Sequence, residues 1–350
     1  MTDDQSLQEL QVLIQRVLEA ETDNLEQLAA TAGLNLAEDF AEADLSDTNL
    51  IEANLIEADL RGTNLRGADL SRANLRGADL RGADLRSANL SEADLRSANL
   101  RGANLSEADL RSARLEGANL SDTKLGQADL SRADLKGTDL RGTDLRDAKL
   151  RGANLGRVDL RNANLKGTYL IRAYLGGADL RGAELSGANL SEADLSEAKL
   201  TNAKLRGTNL KGANLSIADM GGVNLIRADL SRADLIRANL KGADLIRTNL
   251  SSADLRGADL SLADLSLANL YLANLGSANL IRANLNIAEL GGANLSDANL
   301  SEADLRGANV ENAQFARNQG ISAEMKLVLL RRGAIFEDST GNRSEVLTPH

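Results

Sequence analysis

The 350-residue chain contains no cysteine and no tryptophan, one proline (Pro349), one histidine (His350) and only 2 % aromatic residues. Each scarcity excludes something. Without cysteine there is no disulfide framework, no thiolate nucleophile and no sulfur-ligated zinc or iron–sulfur centre. The lone histidine, at position 350, leaves no basis for histidine acid–base chemistry. No run of about 18 apolar residues occurs, so no membrane span is expected. Met1-Thr2-Asp3-Asp4 is acidic where a secretory or transit signal is basic, and a cytoplasmic location is expected. Lys and Arg number 40 against 51 Asp and Glu, a net charge of −11, which is acidic but carries both signs in quantity.

What is present is a repeat. From Glu38 to Arg317 every fifth residue is apolar, giving 56 pentads without an insertion. That apolar residue, position i, is Leu in 52 pentads, and only Phe40, Met220, Val310 and Phe315 differ. Position i−2 is Ala in 45, position i−1 is Asp in 23 and Asn in 23, and Gly stands at i+2 in 20. The constraint therefore sits at i and i−2.

A period of five fits neither regular structure. On an α-helix successive leucines would land about 140° apart and smear around the cylinder. On a continuous strand they would alternate between faces. Within one pentad, however, Ala at i−2 and Leu at i share a face, and the parity breaks only across i+1 and i+2. Each pentad is thus expected to be a short extended piece followed by a bend, where Gly, Ser, Asn and Asp are favoured. A chain that bends the same way every five residues coils, with Leu and Ala turned to the axis.

Runs such as Ala68-Asp69-Leu70-Ser71-Arg72 and Ala73-Asn74-Leu75-Arg76-Gly77 resemble the pentapeptide repeat family, whose pattern is A-(D/N)-L-x-x. The resemblance implies an all-β solenoid: a right-handed quadrilateral parallel β-helix with four pentads per coil. The 56 pentads would then make about 14 coils, a rod of roughly 65–70 Å at strand spacing. Each coil would fill its interior with four Leu and four Ala or Thr, leaving no room for a substrate cavity. Stacked Asn at i−1 would form ladders along the coils.

Three regions are expected: an N-terminal helical cap over 1–37, the solenoid over 38–317, and a C-terminal helical cap with a polar tail over 318–350. In the first, Ser6 and Glu9 make a capping box ahead of Leu7, Leu10, Leu13, Ile14, Val17 and Leu18. Asp23 and Glu26 suggest a second start, and Gly33 a stop. In the last, Ser322 and Gly333 bracket a helix through Met325, Leu327, Val328 and Leu330, with Ala334-Ile335-Phe336 as one more extended piece. Short α-helical caps at both ends would cover the sheet edges, as repeat arrays require. The other use of such helices is dimerisation. Ala32-Gly33-Leu34-Asn35 before Glu38-Asp39-Phe40, and Arg331-Arg332-Gly333-Ala334-Ile335-Phe336-Glu337-Asp338, resemble stretches of stand-alone cyanobacterial members of the family.

The repeat region holds 40 acidic and 35 basic residues, and residues 1–37 hold 7 and 1. With 20 residues per coil, Asp39, Asp59 and Asp79 stack, as do Asp139, Asp159 and Asp179. Columns of arginine, Arg61, Arg81, Arg101 and Arg141, Arg161, Arg181, lie two residues on, so a compensating charge lattice is expected. Some members of the family resemble duplex DNA and bind DNA gyrase. Here the arginines oppose a DNA-like field, and no loop interrupts the repeat. Direct nucleic-acid binding would need a basic stripe or aromatic platforms, and neither is present. The acidic columns are regular and converge on no pocket, so neither catalysis nor a metal or cofactor site is expected.

The stronger signal is apolar residues at outward positions. Leu262, Leu267, Leu272 and Ile287 occupy i+2, and Tyr271 and Ile281 occupy i+1. Upstream, Ile217 sits at i+2, and Ile226, Ile236 and Ile246 at i+1. Clustering of this kind marks an interface, for a protein partner or for a second copy in a homodimer. A smaller candidate is Tyr169, Ile171 and Tyr174, where tyrosine replaces Asp or Asn at i−1 on adjacent faces. The expected function is a non-enzymatic scaffold presenting i+1 and i+2 side chains to a protein partner, with a DNA mimic as the alternative.

Overall fold

A computed structural model describes residues 40–337. The helices expected within 1–37, and the tail beyond 337, lie outside the described residues. The chain divides into two compact units, Met1–Lys149 and Leu150–His350. Both are built from the same turn.

In the first unit the pentad beginning at Asp69 shows how the backbone is satisfied. The Asp69 N–H donates to Thr48 O of the preceding turn at 2.9 Å, and Leu70 N–H to Asn89 O of the following turn at 2.7 Å. Arg72 N–H donates to Ser91 O at 2.8 Å, and Ala73 N–H closes a β-turn on Leu70 O at 3.0 Å. One donor is left over, the N–H of Ser71, and the Asp69 side chain takes it through Oδ1 at 3.0 Å. The pentad at Asn249 in the second unit repeats the scheme, with Ser251 N–H donating to Asn249 Oδ1 at 3.2 Å. Asp and Asn dominate i−1 because each supplies an acceptor that the winding lacks.

Parallel bridges join i−1 positions 20 residues apart, such as Asp59 to Asp79 and Asn249 to Asn269. A turn therefore holds four pentads. Bridging is confined to one residue per pentad, because the β-turn ends each extended piece before a longer strand can form. Where Asn lies one turn after Asp, its amide donates across the gap: Asn64 Nδ2 to Asp44 Oδ1 at 2.8 Å, Asn279 Nδ2 to Asp259 Oδ1 at 2.9 Å. These are the rungs of the expected side-chain ladder.

All 56 residues at i+2, from Glu42 to Arg317, have positive φ. This is the third position of a type II turn, which explains the frequency of glycine there. Inside each unit, Leu at i and Ala at i−2 are buried, each Leu contributing roughly 1.5–3 kcal/mol before conformational entropy is set against it. Thr replacing Ala finds an acceptor within the wall: Thr208 Oγ1 donates to Leu185 O at 2.9 Å and Thr248 Oγ1 to Leu225 O at 2.7 Å.

At the end of the second unit, β1 (Gln314–Ala316) pairs in parallel with β2 (Ile335–Glu337), Phe315 facing Phe336 in register. Between them runs α1 (Ala323–Arg331), whose first turn is held by Ser322 Oγ accepting from Met325 N–H at 3.1 Å. Gly333, at φ 88°, stops it. The Phe315 and Phe336 rings stack at 4.9 Å, and Leu329 is the buried residue of α1. A cleft of about 260 Å³ between α1 and the last turn is lined mainly by apolar atoms of Leu305, Met325, Val328 and Leu329.

The acceptor role of i−1 has a direct test at Asn189, whose bridge partners are Tyr169 and Asn209. Asn189→Ala strands the Ser191 N–H that donates to it at 3.1 Å. It should cost about 1 kcal/mol by denaturant titration, whereas Asn189→Asp, which keeps the acceptor, should cost little.

Candidate protein-binding surface

The corner formed by i+1 and i+2 is where the fold releases side chains outward. Leu262, Leu267, Leu272 and Ile287 project from left-handed backbone, at φ 61°, 60°, 57° and 57°. They are 53 %, 42 %, 52 % and 54 % exposed. Ile217 shares this geometry at φ 59° and is exposed. Tyr271, at i+1, is exposed as well. The other i+1 candidates are not fully outward: Ile281, Ile226, Ile236 and Ile246 are half-buried. The reason is directional. A side chain at i+1 can lie back towards i−1 of its own pentad, as Arg61 does on Asp59, although Tyr271, Ile51 and Ile56 at i+1 remain exposed.

The 20-residue register decides which of these residues meet. Leu262 N–H donates to Ile281 O at 2.9 Å, so the two share a corner on adjacent turns. Leu267 and Ile287 share the next corner, and Tyr271 with Leu272 forms the one after. Each of the last two is seated on a glycine that sequence reasoning passed over. A Cβ on Gly291 would lie 3.2 Å from Tyr271 Cδ2, and one on Gly292 would lie 2.8 Å from Leu272 Cδ2. Gly291 is not at positive φ, so its missing side chain serves space rather than conformation. The legible signal is a Gly-Gly pair exactly one turn after Tyr-Leu.

Tyr169 and Tyr174 are half exposed, and Ile171 is half-buried. The structure keeps the tyrosines on successive faces, bridged to Asn189 and Asp194 respectively. Tyr174 lies over two glycines one turn apart: a Cβ on Gly156 would sit 2.7 Å from its Cε1, and one on Gly176 2.7 Å from its hydroxyl. Both tyrosines forgo the short acceptor that Asp or Asn provides at i−1. Their retention has a local cost.

The charge lattice is paired at close range. Arginine at i+1 engages aspartate at i−1 through both Nε and Nη2, as in Arg61–Asp59, Arg181–Asp179 and Arg256–Asp254. The Arg61 hydrogen bond is the main cause that holds the Asp59 carboxyl down at about 2, against a smaller opposing effect of desolvation. Asp79, Asp84, Asp109, Asp144 and Asp179 are lowered by the same arrangement. The stacked Asp59 and Asp79 are further tied by Arg61 Nε at 3.9 Å from Asp79. Among the described residues no group of three or more acidic side chains could hold a metal ion, and no helix is long and apolar enough to cross a membrane.

Two outcomes follow from this geometry. Carboxyls with lowered folded pKa contribute stability above their unfolded pKa and lose it as pH falls through the folded value. Melting temperature should therefore fall between about pH 4 and about pH 2, which a thermal denaturation series reads. At the corners, a β-branched residue in left-handed backbone is strained. Ile217→Gly should accordingly raise stability by on the order of 1 kcal/mol in denaturant titration.

The family model described as pentapeptide repeats matches the chain in eight copies, over residues 39–77, 88–127, 128–167, 168–207, 193–232, 213–251, 248–286 and 283–317. Among solved structures, the chain is similar to HetL, a pentapeptide repeat protein involved in heterocyst differentiation regulation from the cyanobacterium Nostoc sp. strain PCC 7120. The identity is 41 % over 64 % of this chain and 88 % of HetL, with a TM-score of 0.26. A second Nostoc protein, alr5209, is 37 % identical over 30 % of this chain and 84 % of its own, at a TM-score of 0.27. QnrB1, a plasmid-mediated fluoroquinolone resistance protein, is 19 % identical over 65 % of this chain and 95 % of its own, at 0.36. No curated protein matches.

Proposed function

The chain belongs to the pentapeptide repeat family, and from that premise we propose that it is a non-enzymatic scaffold whose corners present side chains to a protein partner. The observation that carries this reading is the band of Leu262, Leu267, Tyr271, Leu272, Ile281 and Ile287. Its large side chains stand on three successive corners, four of them in left-handed backbone. Glycine or a short polar residue would serve those positions at lower conformational cost. Exposed apolar side chains grouped on neighbouring corners favour an interface. Tyr169, Ile171 and Tyr174 form a secondary surface in the same reading.

The family's right-handed, four-sided winding is proposed for the repeat region over 38–317. Residues 1–37 and 318–350 are assigned the role of covering its ends, α1 and β2 being the described part of the latter. We place the protein in the cytoplasm. A DNA-mimicking role is not favoured, because aspartates of the acidic columns carry arginines two residues away.

The test is a comparison of the wild type with a variant carrying Leu262→Ser, Leu267→Ser, Leu272→Ser and Ile287→Ser, used as baits in a lysate of the source organism. The variant should keep the wild-type circular dichroism spectrum and lose the captured protein. A catch that the variant retains, and that salt alone abolishes, would move the interface to the charged columns.

A further inference from the structure

Arginines on this chain follow a rule of pairing set by their place in the pentad. At i+1 they fold back on i−1 where that residue is aspartate, as in Arg61–Asp59 and Arg256–Asp254. At i+2 they point off the corner and pair where an acid occupies i+2 one turn away. Arg72 meets Glu52 at 3.3 Å, Arg172 meets Glu192 at 2.6 Å, Arg282 meets Glu302 at 2.8 Å and Arg317 meets Asp297 at 2.7 Å. Arg132, Arg157, Arg232 and Arg237 have no acid at i+2 one turn away, and neither do Arg227 and Arg247, but only Arg227 and Arg247 are stacked on each other. Both occupy i+2 of the same corner, one turn apart, and both are exposed. Their remaining neighbours in the column are Gly207 and Leu267. Among the described residues no carboxylate lies within 4 Å of either guanidinium.

The acids on the flanking faces are engaged elsewhere. Asp229 accepts from Asn249 Nδ2 at 3.0 Å and Ser231 N–H at 2.9 Å, and Asp244 accepts from Ile246 N–H at 3.3 Å. Like charges stacked on neighbouring strands are destabilising, and an acid at either position would relieve them, as it does in the four pairs above. The same corner also carries apolar side chains, beside Ser266 and Asn286 at i+1. Ile226 and Ile246 stand at i+1 of those two turns, and Leu267 and Ile287 follow at i+2 of the next two. Four turns at strand spacing make an edge of about 15 Å, basic at one end and apolar at the other.

We propose that this corner is the docking edge for an acidic, leucine-rich segment of a partner protein, its carboxylates on Arg227 and Arg247 and its apolar side chains on Leu267 and Ile287. The inference rests on the scaffold reading and adds the chemistry of the partner. Charge complementarity selects an anion, and the apolar half selects a peptide. A nucleic acid would leave Leu267 and Ile287 unused and would find no aromatic side chain on this corner to stack against.

The experiment measures fluorescence anisotropy of a labelled peptide composed of Glu and Leu, with a Lys-and-Leu peptide and a duplex DNA as comparison probes, at low and high salt. Wild type should bind the acidic peptide in preference to both others, more weakly as salt rises. Arg247→Glu should lose roughly tenfold or more in affinity. It should also melt no lower than wild type, since it recreates with Arg227 the column pair seen at Arg282–Glu302. Leu267→Ser with Ile287→Ser should weaken binding at both salt concentrations. No binding of the acidic peptide by wild type, equal binding of DNA, or unchanged affinity in Arg247→Glu overturns the proposal. Should Arg247→Glu retain the peptide while the four-serine variant loses its captured partner, this inference fails and the scaffold reading stands.

Discussion

The surface of this protein is governed by one peptide N–H that the winding cannot satisfy by itself. Four of the five donors in the pentads at Asp69 and Asn249 find backbone carbonyls, in the turns before and after or across the β-turn. The fifth, at i+1, depends on a side-chain oxygen two residues earlier. That requirement places Asp or Asn at i−1 over most of the repeat. It brings aspartate within reach of any arginine at i+1, and so accounts for the short-range pairing that neutralises the acidic columns. The charge lattice is a by-product of hydrogen-bond completion.

The second constraint is the left-handed residue at every corner. It spares glycine and penalises branched side chains, while being the position from which a side chain best leaves the wall. Conformational ease and outward reach are therefore opposed at i+2. Arginine, glutamate and serine there are solvated compromises. Leu262, Leu267, Leu272, Ile217 and Ile287 combine strain with apolar exposure, and local stability accounts for none of them.

Much of this was legible in the residues. The five-residue period excluded helix and continuous strand and led to a bend at i+1 and i+2. Ser322 and Gly333 marked the start and stop of α1, while the 20-residue register that places Asp59 under Asp79 came from the family resemblance rather than from the period itself. What was not legible concerns direction and room. Periodicity treats i+1 and i+2 alike, so Ile281 and Ile226 looked as outward as Leu262, although their side chains lie back along the wall. Gly291, Gly156 and Gly176 read as ordinary bend residues, whereas they provide beds for Tyr271 and Tyr174. The stacking of Arg227 on Arg247, the one such pair among the i+2 arginines, gained meaning only once the geometry of i+2 pairs was visible.

The register of 20 also gives the surface an angular arithmetic. Within the second unit, Leu267 stands one turn below Ile287 because four pentads separate them. Gain or loss of a single pentad between the two would move Ile287 to a neighbouring corner, a quarter turn away, while leaving every Leu and Ala turned inward. The core is indifferent to such an event and the outer pattern is not. Duplication and deletion of pentads can thus re-aim whole blocks of surface without touching the hydrophobic interior. Only changes in multiples of four preserve a composite edge, so selection acting on a surface assembled from several turns would be felt as a restriction on repeat number.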